Sequence, residues 1–289
     1  MKLYLQFIKR FLVASPLLAS SAFFSTPVQA ATFALSQGEL KFTNFNEEFA
    51  AIERLNEGNT FGFANGGEVN QTNRAVTDFI PSPATASTSA LSLAFGLNKD
   101  YFGLAQTEAK IVGNFDVDAG QSFIFDFTAA LYLRTAIEEA PAENARASGD
   151  ISFLLLDTTN VAQVNLSEFI KNLFTDTRLV SKITLDFFAL NGSLNTFANN
   201  DYLENENSPN VTLTKLFKDF DFEGKEEFAS ALVAGSLQRS FSSKTNLTLL
   251  AIRESEARVS APEPIINPAS LLLLGLVAIA AKIKSKVAS

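Results

Sequence analysis

The 289-residue chain contains no cysteine, no histidine, no tryptophan and a single methionine. Without cysteine there is no disulfide framework, no thiol nucleophile and no thiolate–zinc site. Without histidine the usual general base near neutral pH is missing, together with the commonest ligand for transition metals. Serine is accordingly left without its ordinary activating partner, and the chain has neither a Gly-x-Ser-x-Gly elbow nor a Ser-x-x-Lys arrangement. A phosphate-binding glycine loop is also absent, so no cofactor is expected. Basic residues are scarce in a telling way. The first thirty residues hold Lys2, Lys9 and Arg10 and the last twenty-five hold Lys282, Lys284 and Lys286, with no acid in either segment. Between Ala31 and Pro264 lie 17 of the 23 basic and all 31 acidic side chains, a formal charge of −14. Such a surface repels phosphate backbones and attracts cations, which excludes nucleic acid as a partner.

The two ends read as addresses rather than as parts of a fold. Residues 1–30 combine a basic start, an apolar stretch from Phe11 to Phe24 and small residues at the cleavage positions of Val28-Gln29-Ala30. This is the pattern of a secretory signal peptide, with cleavage by signal peptidase expected after Ala30. At the other end Ala261-Pro262-Glu263-Pro264 precedes an apolar run over 265–281 and a basic end over 282–289 that carries Lys282, Lys284 and Lys286. As a helix, Ile265 to Ala281 would reach roughly 25 Å, slightly short of the roughly 30 Å of a hydrocarbon core. Snorkelling lysines close that gap from the cytoplasmic side. Pro262, Pro264 and Pro268 keep the helix from extending backward and leave an extended stretch open to a protease.

This order of Pro-Glu-Pro signature, hydrophobic helix and basic end resembles the sorting region of PEP-CTERM proteins. The resemblance covers about the last thirty residues, with Ala261 where valine is usual and lysines where an arginine cluster is common. It implies a bacterial protein recognised by a membrane-embedded exosortase, cut near Pro262–Pro264 and delivered to the cell surface or the extracellular, polysaccharide-rich matrix. Until then the C-terminal helix would hold the protein in the membrane.

The segment 31–260 is long enough to bury one core without covalent staples. Its dominant signal is period-two alternation. In Ser122 to Leu133 it puts Phe123, Phe125, Phe127, Ala129, Leu131 and Leu133 on one face. Similar runs occupy Thr32–Phe42, Ala90–Leu97, Phe102–Val117, Ala147–Leu156, Leu179–Leu190, Val211–Phe222, Glu227–Leu237 and Asn246–Ile252. Turn chemistry falls at Asn65–Gly67, Asp118–Gly120, Asn191–Gly192, Asn207–Pro209 and Glu223–Gly224. The expectation is one all-β domain, an antiparallel β-sandwich or jelly roll whose core is filled from the 24 phenylalanines outside the signal peptide. Helix is expected only over Ser167–Phe174, which starts with a capping residue and aligns Phe169, Ile170, Leu173 and Phe174, and more weakly over Phe45–Leu55. Pro81–Ser89 reads as an exposed loop.

Two acidic groupings are candidates for binding a cation, calcium being the one considered. Asn114-Phe-Asp116-Val-Asp118-Ala-Gly120 offers oxygen ligands at alternate positions, but its glycine is misplaced for an EF-hand and Phe125 stands where glutamate is required. A strand running into a hairpin turn explains the same residues. In Asp219-Phe-Asp221-Phe-Glu223, strand alternation puts three acids on one face and two phenylalanines on the other. A solvated sheet face is the simpler account. The functional expectation is therefore a noncatalytic surface or matrix protein with a structural or adhesive role. A carbohydrate-binding module is the first alternative, although the chain has only four tyrosines on which a sugar could stack. A carboxylate-dependent glycoside hydrolase is the second alternative, and nothing in the sequence selects a pair of acids for it.

Overall fold

A computed structural model of the chain describes residues 31–98, 100–138, 140, 143–161, 182–197 and 200–261. The predicted signal peptide with Ala30, the helix over Ser167–Phe174, and the tail with Pro262, Glu263, Pro264, Lys282, Lys284 and Lys286 lie outside the described residues.

Twelve strands follow one another: β1 (Ala31–Thr43), β2 (Ala51–Ala64), β3 (Glu68–Pro81), β4 (Ala84–Leu97), β5 (Tyr101–Val117), β6 (Ser122–Ala136), β7 (Asn144–Asp157), β8 (Thr184–Asn195), β9 (Tyr202–Asn207), β10 (Val211–Asp221), β11 (Glu226–Ser240) and β12 (Thr245–Ala261). They form two antiparallel six-stranded sheets, sheet I in the order β10-β11-β6-β1-β4-β3 and sheet II in the order β2-β5-β12-β7-β8-β9. Read in opposite directions the two orders stack position by position, β3 on β2, β4 on β5, β1 on β12 and β6 on β7. The first and last of the described strands thus face each other near the middle of the sandwich.

The expected alternation holds on β6, whose Phe123, Phe125, Phe127, Leu131 and Leu133 point inward and are buried. The three phenylalanines meet Phe42, Phe115, Phe153 and Phe188 in edge-on and tilted contacts, with Phe125 5.4 Å from Phe42 and from Phe153, and Phe127 4.8 Å from Phe188. Phenylalanine suits this layer because it supplies area with no polar tip to satisfy.

A second, smaller apolar cluster at the far end contains Ala34, Tyr101, Ala145, Ala257 and Val259. Between the two runs a polar belt. Ser92 Oγ lies 2.8 Å from both Thr107 Oγ1 and Ser255 Oγ, and the fully buried Arg253 donates to the Asp150 carbonyl at 3.1 Å and weakly to Ser36 Oγ at 3.4 Å. A guanidinium fits there because Gly38 and Gly149 face it; a Cβ on Gly38 would stand 2.5 Å from Arg253 Nε and 2.9 Å from the Ala130 carbonyl. Burial pushes Arg253 down to about 9, with the charges of Asp150 and Glu254 opposing the shift.

Several expectations are corrected. Phe45–Leu55 is not helical: residues 44–50 are a loop with bends and β2 begins at Ala51. The spacing of Phe45 and Phe49 serves instead to plug one mouth of the sandwich, Phe45 stacking 5.5 Å from Phe115 and Phe49 packing 4.8 Å from Phe79. Asn46 holds the loop by bonding β6 on both sides of its amide, accepting from the Ile124 N–H at 2.7 Å and donating to the Ser122 carbonyl at 2.5 Å. Pro81–Ser89 is no loop either. Pro81 ends β3, the chain turns at Ser82-Pro83, and Ala84–Ser89 opens β4, alternating small inward side chains with outward ones. Asn191–Gly192 lies inside β8, where Gly192 leaves room for Leu131 and Leu133 of the opposite sheet. The described part of the run Leu179–Leu190 enters its strand at Thr184. By contrast Asp118–Gly120 and Glu223–Gly224 turn as expected, with φ of 82° at Gly120 and 93° at Gly224.

Ala31 pairs with Leu97 and Ala261 with Tyr101, the two residues that flank the β4–β5 turn. Both ends of the described domain therefore emerge at the same end of the sandwich.

Candidate functional site

Antiparallel register turns the outer face of sheet II into straight rows of side chains running across the strands. One row consists of Glu57 (β2), Glu108 (β5), Glu254 (β12), Asp150 (β7), Asn191 (β8) and Glu204 (β9), each directly opposite the next. The next row toward the tail end is Asn59, Gln106, Glu256, Ser148, Ser193 and Tyr202. At about 4.8 Å per strand each row is about 24 Å long. All of these residues except Glu204 and Ser193 line a groove of about 560 Å³, together with Arg146.

Like charges directly opposite each other repel, so this row needs compensation. Lys110 pairs with Glu108 at 2.5 Å, Gln106 donates to Glu256 at 2.9 Å, and Asn191, with its amide oriented to donate, bonds Asp150. Burial raises the Glu254 carboxyl above the usual range, and its hydrogen-bonded neighbour Glu108 raises it further. Burial also raises Asp150, against the opposing effects of Ser152 and Arg253. Glu108 and Glu254 stand directly opposite each other on adjacent strands, which is why each raises the need for a compensating partner in this row.

The flanks of the groove differ. Toward the tail end, Phe61 and Phe63 of β2 cluster with Phe102 at 5.9 and 6.0 Å, and Arg258 lies 5.0 Å over the Phe102 ring. Away from it the outer face turns apolar: Val112, Leu156 and Leu250 are buried against Val161 and Ile183.

The acids singled out in the sequence lie elsewhere. Asp116 is exposed near the end of β5, and Asp118 sits in the β5–β6 turn, 4.0 Å from Lys244. Asn114 is committed to Thr248, whose hydroxyl it accepts at 2.9 Å. Asp219 and Asp221 do share the outward face of β10, while Glu223 lies beyond the strand in a turn and donates its N–H to Asp221. Phe220 and Phe222 stack 4.5 Å apart. Among the described residues no three acids come together closely enough to hold a metal ion.

Sequence reading missed the groove because its members are scattered over six strands, each an ordinary outward-facing polar residue. Only the register assembles them. Compared with family models, with curated proteins and with solved structures, the chain matches none, so its own geometry carries the functional argument.

Proposed function

We propose that this is a noncatalytic protein exported to the cell surface or extracellular matrix, with a structural or adhesive role, sorted and processed by an exosortase. The observation that carries the reading is the shared exit of the two ends. β12 stays in register to Ala261, the last described residue, so the stretch expected to be cleaved follows directly on a residue held in the sheet. The N-terminus left by signal peptidase would lie beside it. A sandwich held in this way leaves the opposite end and both sheet faces clear of the membrane. The groove begins five residues up β12 from Ala261, roughly 17 Å at strand rise. Fractionation of the native host tests this: the reading expects the protein in the matrix or surface fraction and its retention in the membrane when exosortase is removed. Distribution unchanged by that removal would contradict it.

A second reading, carbohydrate binding, is favoured by the groove itself. Amides, hydroxyls and carboxylates set in rows suit a hydroxyl-rich polymer, and exposed Tyr202 offers a stacking surface at one side. A glycan array run with and without calcium tests it, with Tyr202→Ala and Glu256→Ala expected to weaken any binding. Saturable binding insensitive to both substitutions would move the ligand off this face.

A further inference from the structure

Among the described residues the two open six-stranded sheets have four edge strands, β3 and β10 on sheet I and β2 and β9 on sheet II. Each presents unpaired backbone donors and acceptors that a second strand could take up, and natural proteins blunt such edges with charge, proline or shortness. Three of these edges are blunted. β9 is six residues long and carries Glu204 and Glu206; β3 carries Glu68, Arg74 and Asp78 and ends in Pro81; β2 carries Glu53, Arg54 and Glu57. All three are net negative, so two copies repel there.

β10 differs. Lys215, Lys218, Asp219 and Asp221 sum to zero in a domain of formal charge −14; Leu216 (50%), Phe217 (53%) and Phe220 (53%) are exposed on it, as Leu55, Phe61 and Phe63 are on β2, but only on β10 does no net charge oppose a second copy. The β9 edge stacked across from it is recessed, with six residues against eleven.

We infer that β10 is a self-association edge, pairing antiparallel with β10 of a second copy about a twofold axis at Phe217. In that register Phe217 meets its own counterpart on the outward face, and Lys215 opposes the partner copy's Asp219 on both sides of it. This face assignment follows from the pairing with β11, in which Lys215, Phe217 and Asp219 stand opposite Ala234, Leu232 and Ser230. The irregularity between Leu213 and Lys215 falls just outside this five-residue centre. The contact is isologous and closed, joining two copies of sheet I into one twelve-stranded sheet. Charges that discourage promiscuous edge pairing become complementary in this single register.

The absence of cysteine makes the test direct. Directly opposed antiparallel residues have Cα atoms about 4.5–5.5 Å apart, within disulfide reach. Phe217→Cys in the full chain, mildly oxidised in its membrane fraction, is expected to form a disulfide-linked dimer, while Thr212→Cys on the same strand face stays monomeric. Adding Lys215→Asp or Asp219→Lys to Phe217→Cys should abolish the cross-link, and adding both should restore it, a rescue that general destabilisation would not produce. Cross-linking of Phe217→Cys no greater than that of Thr212→Cys overturns the inference. So does cross-linking indifferent to the single charge reversals.

Discussion

The middle of the sandwich and its β2–β3 border are built from the same kind of strand and filled in opposite ways. Between β6, β1 and β7 the interior is phenylalanine on phenylalanine. Between β2 and β3 it is amide on glycine: Asn73 lies over Gly58, Gln71 over Gly62, and Asn56 donates weakly to Thr77 at 3.3 Å. Along β2 most residues are exposed. Dry packing gains free energy from buried area, whereas the amide layer gains little net and holds the border mainly by backbone pairing to β5 and β4.

The largest expected effect lies on the dry side. Phe125→Ala removes a fully buried ring with neighbours in both sheets and should cost about 3–5 kcal/mol, read as a lowered denaturant midpoint of the domain. Gly38→Ala is next. Its new methyl would press on a backbone carbonyl and on the buried guanidinium of Arg253, costing about 1–3 kcal/mol.

A third prediction concerns pH. Glu227 is buried and accepts a hydrogen bond from Thr135 at 2.9 Å; burial raises its carboxyl to about 7 despite that bond, with Asp201 and Asp221 adding to the rise. Between about 4.5 and about 7 the folded state keeps a proton that the unfolded state has released. Stability from this group therefore falls as pH rises through that window and is constant above it. Glu227→Gln should raise the melting temperature at pH 8 by a few degrees, about 1–2 kcal/mol in a domain of this size, with the gain vanishing near pH 4.5. The smallest effect belongs to the amide layer: Asn73→Ala should cost about 1 kcal/mol or less. Hydrogen exchange should show β2 amides opening well before those of β12, and equal protection of the two strands would erase the contrast.

That contrast also decides what was legible in the sequence. β6 and β7 alternate apolar and polar because their inner faces meet the dry core, whereas β1, β4, β5 and β12 alternate around the polar belt, β4 with Ala86, Thr88, Ala90, Ser92 and Ala94 inward and Leu91, Leu93 and Phe95 outward; each can be recognised one strand at a time. β2 and β3 hide because their inner faces carry Asn56, Gly58, Gly62, Gln71 and Asn73, which look like loop residues. β9 hides because it is short and acidic. Phe45 and Phe49 mislead because i, i+4 spacing also suits two rings packed together on a bent loop. The row from Glu57 to Glu204 is a property of register, which no single strand records. The placing of both ends of the described domain at one side is likewise visible only once Ala31 and Ala261 are seen to pair with the two residues that flank one turn.

The central claim, export followed by cleavage at the Pro-Glu-Pro stretch, is tested most directly by intact mass of the protein recovered separately from the membrane and the matrix of its native host. The account predicts a matrix species that begins at Ala31 and ends within Pro262–Pro264. A protein found only in membranes, with Ser289 still in place, would contradict it.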